Sequence, residues 1–227
     1  MSTVVPSRSL LAVRPSSSVG VLASAAAVAG VFSGTPFILA EAIDQYGVGR
    51  GSAALLSTLQ VGSFMVANLT AGRRLQPSVG LLRSSLVALT VLNFVSAFAP
   101  NFQVLAICRL MAGFPMGLIT WVSWSTSASD GRRRGEVASM GPLTAALATP
   151  IVGLAAGAGL GGIYIFAAAL SAVCLTFPAE VESDRPKGQR NPIGAPILKI
   201  VLLSMFAVSA AGSGVFVFIR VLASDEL

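Results

Sequence analysis

The sequence predicts an all-α fold, a polytopic membrane helix bundle of about seven transmembrane helices with its N-terminus in the cytoplasm. Three observations lead there. Of 227 residues, 54% are hydrophobic and only 11% charged, with a mean hydropathy of +0.81, whereas a soluble domain carries about 25% charged residues to cover its surface. The few charges are clustered, so long windows carry none. The arginines and lysines fall on alternate connections between those windows.

A helix crosses the hydrocarbon core in roughly 17 to 25 residues, and windows of that length recur along the chain. After Arg8 and Arg14 no charge appears until Glu41, which places a first helix over Ser18 to Ala40 with Gly30, Gly34 and Pro36 inside it. A second window runs from Gly51 to Gly72 and ends at Arg73 and Arg74. A third follows Arg83 and reaches about Ala99, where Pro100 and Asn101 signal a turn. The fourth, Phe102 to Ser125, holds one charge, Arg109; the cluster Asp130, Arg132, Arg133, Arg134 and Glu136 then interrupts. Val137 to Ala179 is uncharged and too long for one span, so the run Gly157-Ala-Gly-Leu-Gly-Gly162 divides it into a fifth and a sixth helix. A polar, proline-containing stretch from Glu180 to Lys199 is the expected linker, followed by a seventh window, Ile200 to Ile219. The resulting division is a cytoplasmic segment 1–17, a six-helix unit 18–179, a cytoplasmic linker 180–199 and a final helix with its tail, 200–227.

Short loops rich in Lys and Arg stay on the cytoplasmic side. With the N-terminus inside, Arg8, Arg14, Arg73, Arg74, Arg83, Arg132, Arg133, Arg134, Arg185, Lys187, Arg190 and Lys199 all face the cytoplasm, and only Arg50 and Arg220 face out. The aromatic residues agree: Tyr46, Phe102 and Tyr164 fall near the outer boundary, Trp121 and Trp124 near the inner one. This placement, beside membrane-length windows, accounts for the net charge of +6 better than a nucleic-acid partner does. The basic start also fits a cleaved signal peptide, but the first apolar window is longer than a signal core and leads into another span. The sequon Asn68-Leu69-Thr70 lies inside the second helix, away from glycosylation. Cys108 and Cys174 each sit in an apolar stretch, where cysteine acts as a small hydrophobe.

Small residues four apart let helix backbones approach closely in lipid, and Gly30 with Gly34, Gly113 with Gly117, and Gly153 with Gly157 have that spacing. Static packing is one use of such pairs. Pro36, Pro115, Pro142 and Pro150 each remove a backbone hydrogen bond within a span and favour a kink. Arg109 is the most informative residue, because a charge at the centre of a span costs about 2.5 to 3.5 kcal/mol on insertion scales and tends to face a bundle interior or wet cavity. It sits some seven residues into its helix, roughly 10 Å from the outer end, where a long side chain can also snorkel outward. The nearest counter-charge at matching depth is Glu41, with Asp44 just beyond, so Glu41 and Arg109 are expected to share an aqueous cavity and to pair.

Histidine is absent, and no paired intramembrane carboxylates or metal-ligand spacing are visible, so neither an enzyme nor a metal or cofactor site is expected. A seven-helix receptor enters with its N-terminus outside, against the basic N-terminus here. The segment from Ala71 to Arg83 resembles the loop between the second and third helices of the major facilitator superfamily, with Gly72, Arg73, Gly80 and Arg83 in matching places. The acidic member of that loop has no counterpart, since Leu75, Gln76 and Pro77 occupy its region. Arg109-Leu-Met-Ala-Gly113-Phe-Pro115-Met-Gly117 resembles the fourth-helix motif of the same family, an arginine followed by spaced glycines. Thr149-Pro150-Ile-Val-Gly153 is similar to the Pro-x-x-Gly core of the fifth-helix motif of exporters.

The resemblance implies a secondary transporter of a small molecule in a bacterial cytoplasmic membrane, of the sugar or drug efflux type, with Arg109 serving a coupling proton or substrate charge. Members of that family carry two six-helix halves with the substrate site between them, and this chain holds one half, a linker and one more helix. Three expectations follow: a truncated gene product without transport activity, a fragment of a longer coding sequence, or a half that works as a homodimer or with a separate second half. A non-transporting membrane scaffold is the alternative from another class.

Overall fold

In the computed structural model, residues 15–181 are described, and they form seven α-helices: α1 (Val19–Ser33), α2 (Thr35–Tyr46), α3 (Arg50–Arg74), α4 (Val79–Ala97), α5 (Phe102–Thr126), α6 (Gly131–Ala156) and α7 (Gly159–Cys174). No strand occurs among the described residues. These seven are not the seven expected spans. The first expected span is divided into α1 and α2, and the expected seventh, over 200–219, lies outside the described residues with nearly all of the linker. By length and composition α3, α4, α5 and α6 are each able to cross a membrane, and the α1–α2 pair makes a fifth if it is one bent span. The surface agrees, with Leu69, Phe98, Leu147 and Leu154 all more than 60% exposed. An apolar exterior of that kind is unfavourable in water and suits hydrocarbon. The chain is thus a helical bundle built for a membrane.

The break between α1 and α2 bends the pair by 42° at Gly34. Pro36 is the cause: it has no N–H for the carbonyl of Phe32, and its ring crowds the preceding turn. The other prolines do not divide their helices. Pro115 lies inside the continuous α5, and Pro142 and Pro150 inside the continuous α6. Two further boundaries depart from the sequence reading because side-chain caps extend the helices beyond the apolar windows. Ser78 accepts from the N–H of Leu81 at 3.2 Å and starts α4 at Val79, which puts Gly80 and Arg83 on the helix. Asp130 accepts from the N–H of Arg132 at 2.8 Å and starts α6 at Gly131, so Arg132, Arg133, Arg134 and Glu136 are helical residues, not a loop. The turn into α7 takes Gly157 and Ala158, with Gly159 at φ 72°, a left-handed value that favours glycine. At 16 residues, α7 reaches roughly 24 Å, shorter than expected for the sixth span and short of the roughly 30 Å hydrocarbon core.

With the bent α1–α2 pair taken as one unit, successive helices run back and forth, so two ends are defined by contact. At one end the amide of Gly20 bonds the carbonyl of Pro178 at 2.9 Å, and Gly72 lies against the Trp121 ring. At the other, the Tyr46 hydroxyl donates to the carbonyl of Ala99 at 2.9 Å and its ring meets Phe102 edge-on. Arg73, Arg74, Arg83, Arg132, Arg133 and Arg134 belong to the first end and Arg50 to the second. Glu136 ties the first end together. Its carboxylate accepts from the amides of Ser16, at 2.8 and 3.0 Å, and Ser17, at 2.8 Å, while Arg132 pairs with it at 3.3 Å. A carboxylate from α6 therefore takes up the backbone donors that lead into α1, 120 residues away in sequence.

The interior is organised around α5, which packs on α3, α4 and α1. Helix α3 lies along α5, α4 fills the space between α5 and α7, and α6 flanks α1. The α3–α5 crossing is set by glycine. A methyl group on Gly113 would strike the backbone carbonyl of Gln60, and one on Gly117 would strike that of Phe64. Gly30 is also tight, but against the flexible tip of Leu170, while Gly153 meets only the edge of the Phe37 ring at ordinary distance. Of the three expected glycine pairs, Gly113 with Gly117 is thus the one that brings two backbones together. Cys108 and Cys174 are buried and unbridged, and the Cys174 thiol donates to the carbonyl of Ala23 at 3.1 Å.

Two stability predictions follow from these contacts. Gly113→Ala or Gly117→Ala forces α3 and α5 apart and destabilises the detergent-solubilised chain by about 1 to 3 kcal/mol, whereas Gly153→Ala changes its melting by less than about 0.5 kcal/mol. Glu136→Ala leaves the Ser16 and Ser17 amides without their charged acceptor and costs about 1 to 3 kcal/mol; Glu136→Gln, which keeps one acceptor oxygen, recovers part of the loss. Thermal melting of purified variants measures both.

Candidate functional site

Helix α5 begins at Asn101, whose side chain caps the amide of Val104 at 2.9 Å. Arg109 follows two turns later and is 1% exposed, so its guanidinium does not snorkel to the outer boundary. It turns into the bundle towards α4 and α7. Nη1 donates to Oδ1 of Asn93 at 3.0 Å; Nη2 donates to Oγ of Ser96 at 2.5 Å and to the carbonyl of Leu92 at 3.3 Å. The guanidinium carbon Cζ lies 4.3 Å from the centre of the Tyr164 ring on α7, a cation–π contact that strengthens once water is excluded.

The local folding of α4 explains these acceptors. Asn93 and Ser96 are three residues apart and so share a helix face, and both are buried. The Ser96 hydroxyl donates to the carbonyl of Leu92 at 2.6 Å, which leaves its oxygen lone pairs for Arg109. Every partner of the guanidinium is neutral: an amide, a hydroxyl, a carbonyl and an aromatic face. Three atoms in the cluster have no hydrogen-bond partner, namely Nε of Arg109, Nδ2 of Asn93 and the hydroxyl of Tyr164.

The expected pairing of Arg109 with Glu41 is not formed, since the guanidinium is engaged by α4 and α7 instead. Glu41 is half-buried on α2 and Asp44 is exposed. Tyr164, expected near the outer boundary, is fully buried against Arg109, while Tyr46 and Phe102, expected at the same boundary, pack on each other edge-on. At the opposite end Trp124 is exposed and Trp121 buried. The loop-motif residues Gly72, Arg73, Gly80 and Arg83 are all exposed at the arginine-rich end, remote from Arg109 along the bundle. Gly113, Pro115 and Gly117 continue the buried face of α5 below Arg109, where Gln60 of α3 is also buried and donates to the Met116 sulfur at 3.5 Å. Pro150 and Gly153 lie on α6, away from this cluster.

Asn93, Ser96, Gln60 and the role of Tyr164 are absent from the sequence reading. A signal for them existed, because a polar side chain within an apolar span needs a partner in lipid. Asn93 interrupts the third window, and Gln60 the second. Neither is ionisable, so a search for charged residues passes over them. Among the described residues no group of His, Cys, Asp and Glu is disposed to hold a metal ion.

The cluster predicts a coupling between Asn93 and Arg109. Asn93→Ala strips the guanidinium of an acceptor and destabilises the protein by about 1 to 3 kcal/mol. In an Arg109→Met background the same change costs markedly less, because the charge that needed the acceptor is gone. A double-mutant melting cycle measures the difference as an interaction energy.

Comparison of this chain with family models, with curated proteins and with solved structures gives no match.

Proposed function

We propose that the chain is a secondary transporter of a small molecule, of the type implied by its resemblance to the major facilitator superfamily, working in a bacterial cytoplasmic membrane with its N-terminus inside. The observation that carries this reading is Arg109, a charge buried at the junction of α4, α5 and α7. Ionisable groups inside a membrane bundle mark ion and substrate pathways. The broken α1–α2 pair supports it, since discontinuous helices are a recurrent feature of carriers. In this reading the seventh span follows a cytoplasmic linker, a second copy or a separate second half completes the transport path, and proton-coupled efflux of a sugar or drug is the activity. A second reading, a non-transporting scaffold, draws on the enclosure of Arg109 by Asn93, Ser96 and Tyr164, which makes the residue a staple between helices.

Orientation and activity are separately measurable. A fluorescent protein fused after Ser129 is expected to fold and fluoresce in the cytoplasm, and one fused after Val48 to stay dark; the reverse pattern rejects the orientation. For activity, the purified chain is reconstituted in vesicles containing a pH-sensitive dye, and proton flux is followed on addition of ethidium or of mono- and disaccharides. Substrate-dependent flux that falls at least tenfold in Arg109→Gln supports the carrier. Flux only after co-expression with a second half identifies a split carrier. No flux in either case leaves the scaffold reading.

A further inference from the structure

Among the described residues the Arg109 cluster contains a charge without a counter-charge. A guanidinium stays protonated in proteins, and this one is enclosed by neutral groups, with no carboxylate among the described residues in ion-pair range. Burying an unpaired charge is costly even after relaxation. The hydrogen-bond accounting points the same way. The unpartnered atoms around the guanidinium, Arg109 Nε, Asn93 Nδ2 and the Tyr164 hydroxyl, are all able to donate, and the two nitrogens can only donate. The cluster is short of acceptors and short of negative charge together. A water molecule supplies the first but not the second.

We infer that the cluster is a binding site for a small monovalent inorganic anion such as chloride, seated beside the Arg109 guanidinium and taking hydrogen bonds from donors among Arg109 Nε, Asn93 Nδ2 and the Tyr164 hydroxyl. The anion neutralises the charge within the bundle and links α4, α5 and α7. This site does not depend on the chain transporting anything, so the two readings fail independently.

The test is thermal melting of the purified full-length chain in a neutral detergent, with sodium chloride exchanged for sodium gluconate at constant ionic strength. Anion binding to the folded state alone raises the melting temperature by about 4 °C for each tenfold increase in chloride above its dissociation constant. Asn93→Asp places a carboxylate beside the guanidinium and is expected to melt as high in gluconate as the chloride-loaded parent, with no response to chloride. Arg109→Gln also loses the response; if it does not fold, Asn93→Asp decides. Equal melting of the parent in chloride and gluconate overturns the site, as does an unchanged chloride response in Asn93→Asp. Stabilisation by acetate but not chloride overturns it as well, since that would mark a carboxylate site.

Discussion

A single guanidinium held away from water imposes conditions on every helix around it. Arg109 needs acceptors, and an apolar bundle offers few, because backbone carbonyls inside helices are already engaged. Helix α4 meets the need with Asn93, Ser96 and the carbonyl of Leu92, and α7 adds the face of Tyr164. These contacts fix the rotation of α4 and α7 about their own axes, since turning either by one residue withdraws its polar atoms. The interior around α5 is thus specified by polarity where apolar packing alone would tolerate several arrangements.

The same helix solves a second problem a turn further on. Lipid tails are as apolar as leucine, so burying hydrophobic surface does little to hold two membrane helices together. Close backbone approach does more, and Gly113 and Gly117 permit it against Gln60 and Phe64 of α3. Pro115 sits between the two glycines on the buried face. Helix α5 therefore carries a polar anchor towards α4 and α7 and a smooth seam towards α3. Both lie in the stretch from Arg109 to Gly117 that resembles a transporter motif, and both have a direct packing reason to be there.

Charge at the helix ends follows a different logic. Three arginines in the first turns of α6 oppose the helix dipole, yet the helix starts at Gly131 because Asp130 caps it and Glu136 pairs with Arg132 one turn on. Glu136 then uses its remaining capacity on the amides of Ser16 and Ser17. A cluster that reads as a loop becomes the place where the entry to α1 is fastened to α6.

Much of the helical layout was legible without coordinates, because charge-free windows and the length of the hydrocarbon core are one-dimensional constraints. The spans now seen as α3 and α5 match their windows to within two residues. The break at Pro36 and the glycine seam at Gly113 and Gly117 were also readable, since proline chemistry and four-residue spacing are local. Capping by Ser78 and Asp130 leaves no mark in a charge-free window, and α4 and α6 start earlier than the windows. Which partner Arg109 takes was decided by tertiary structure alone. Charge and depth pointed to Glu41, but α4 and α7 bring neutral groups close enough to enclose the guanidinium, and Tyr164 is drawn from the expected boundary to a place beneath it. A sequence states which residues carry charge; which atoms surround that charge depends on how three helices rotate against one another.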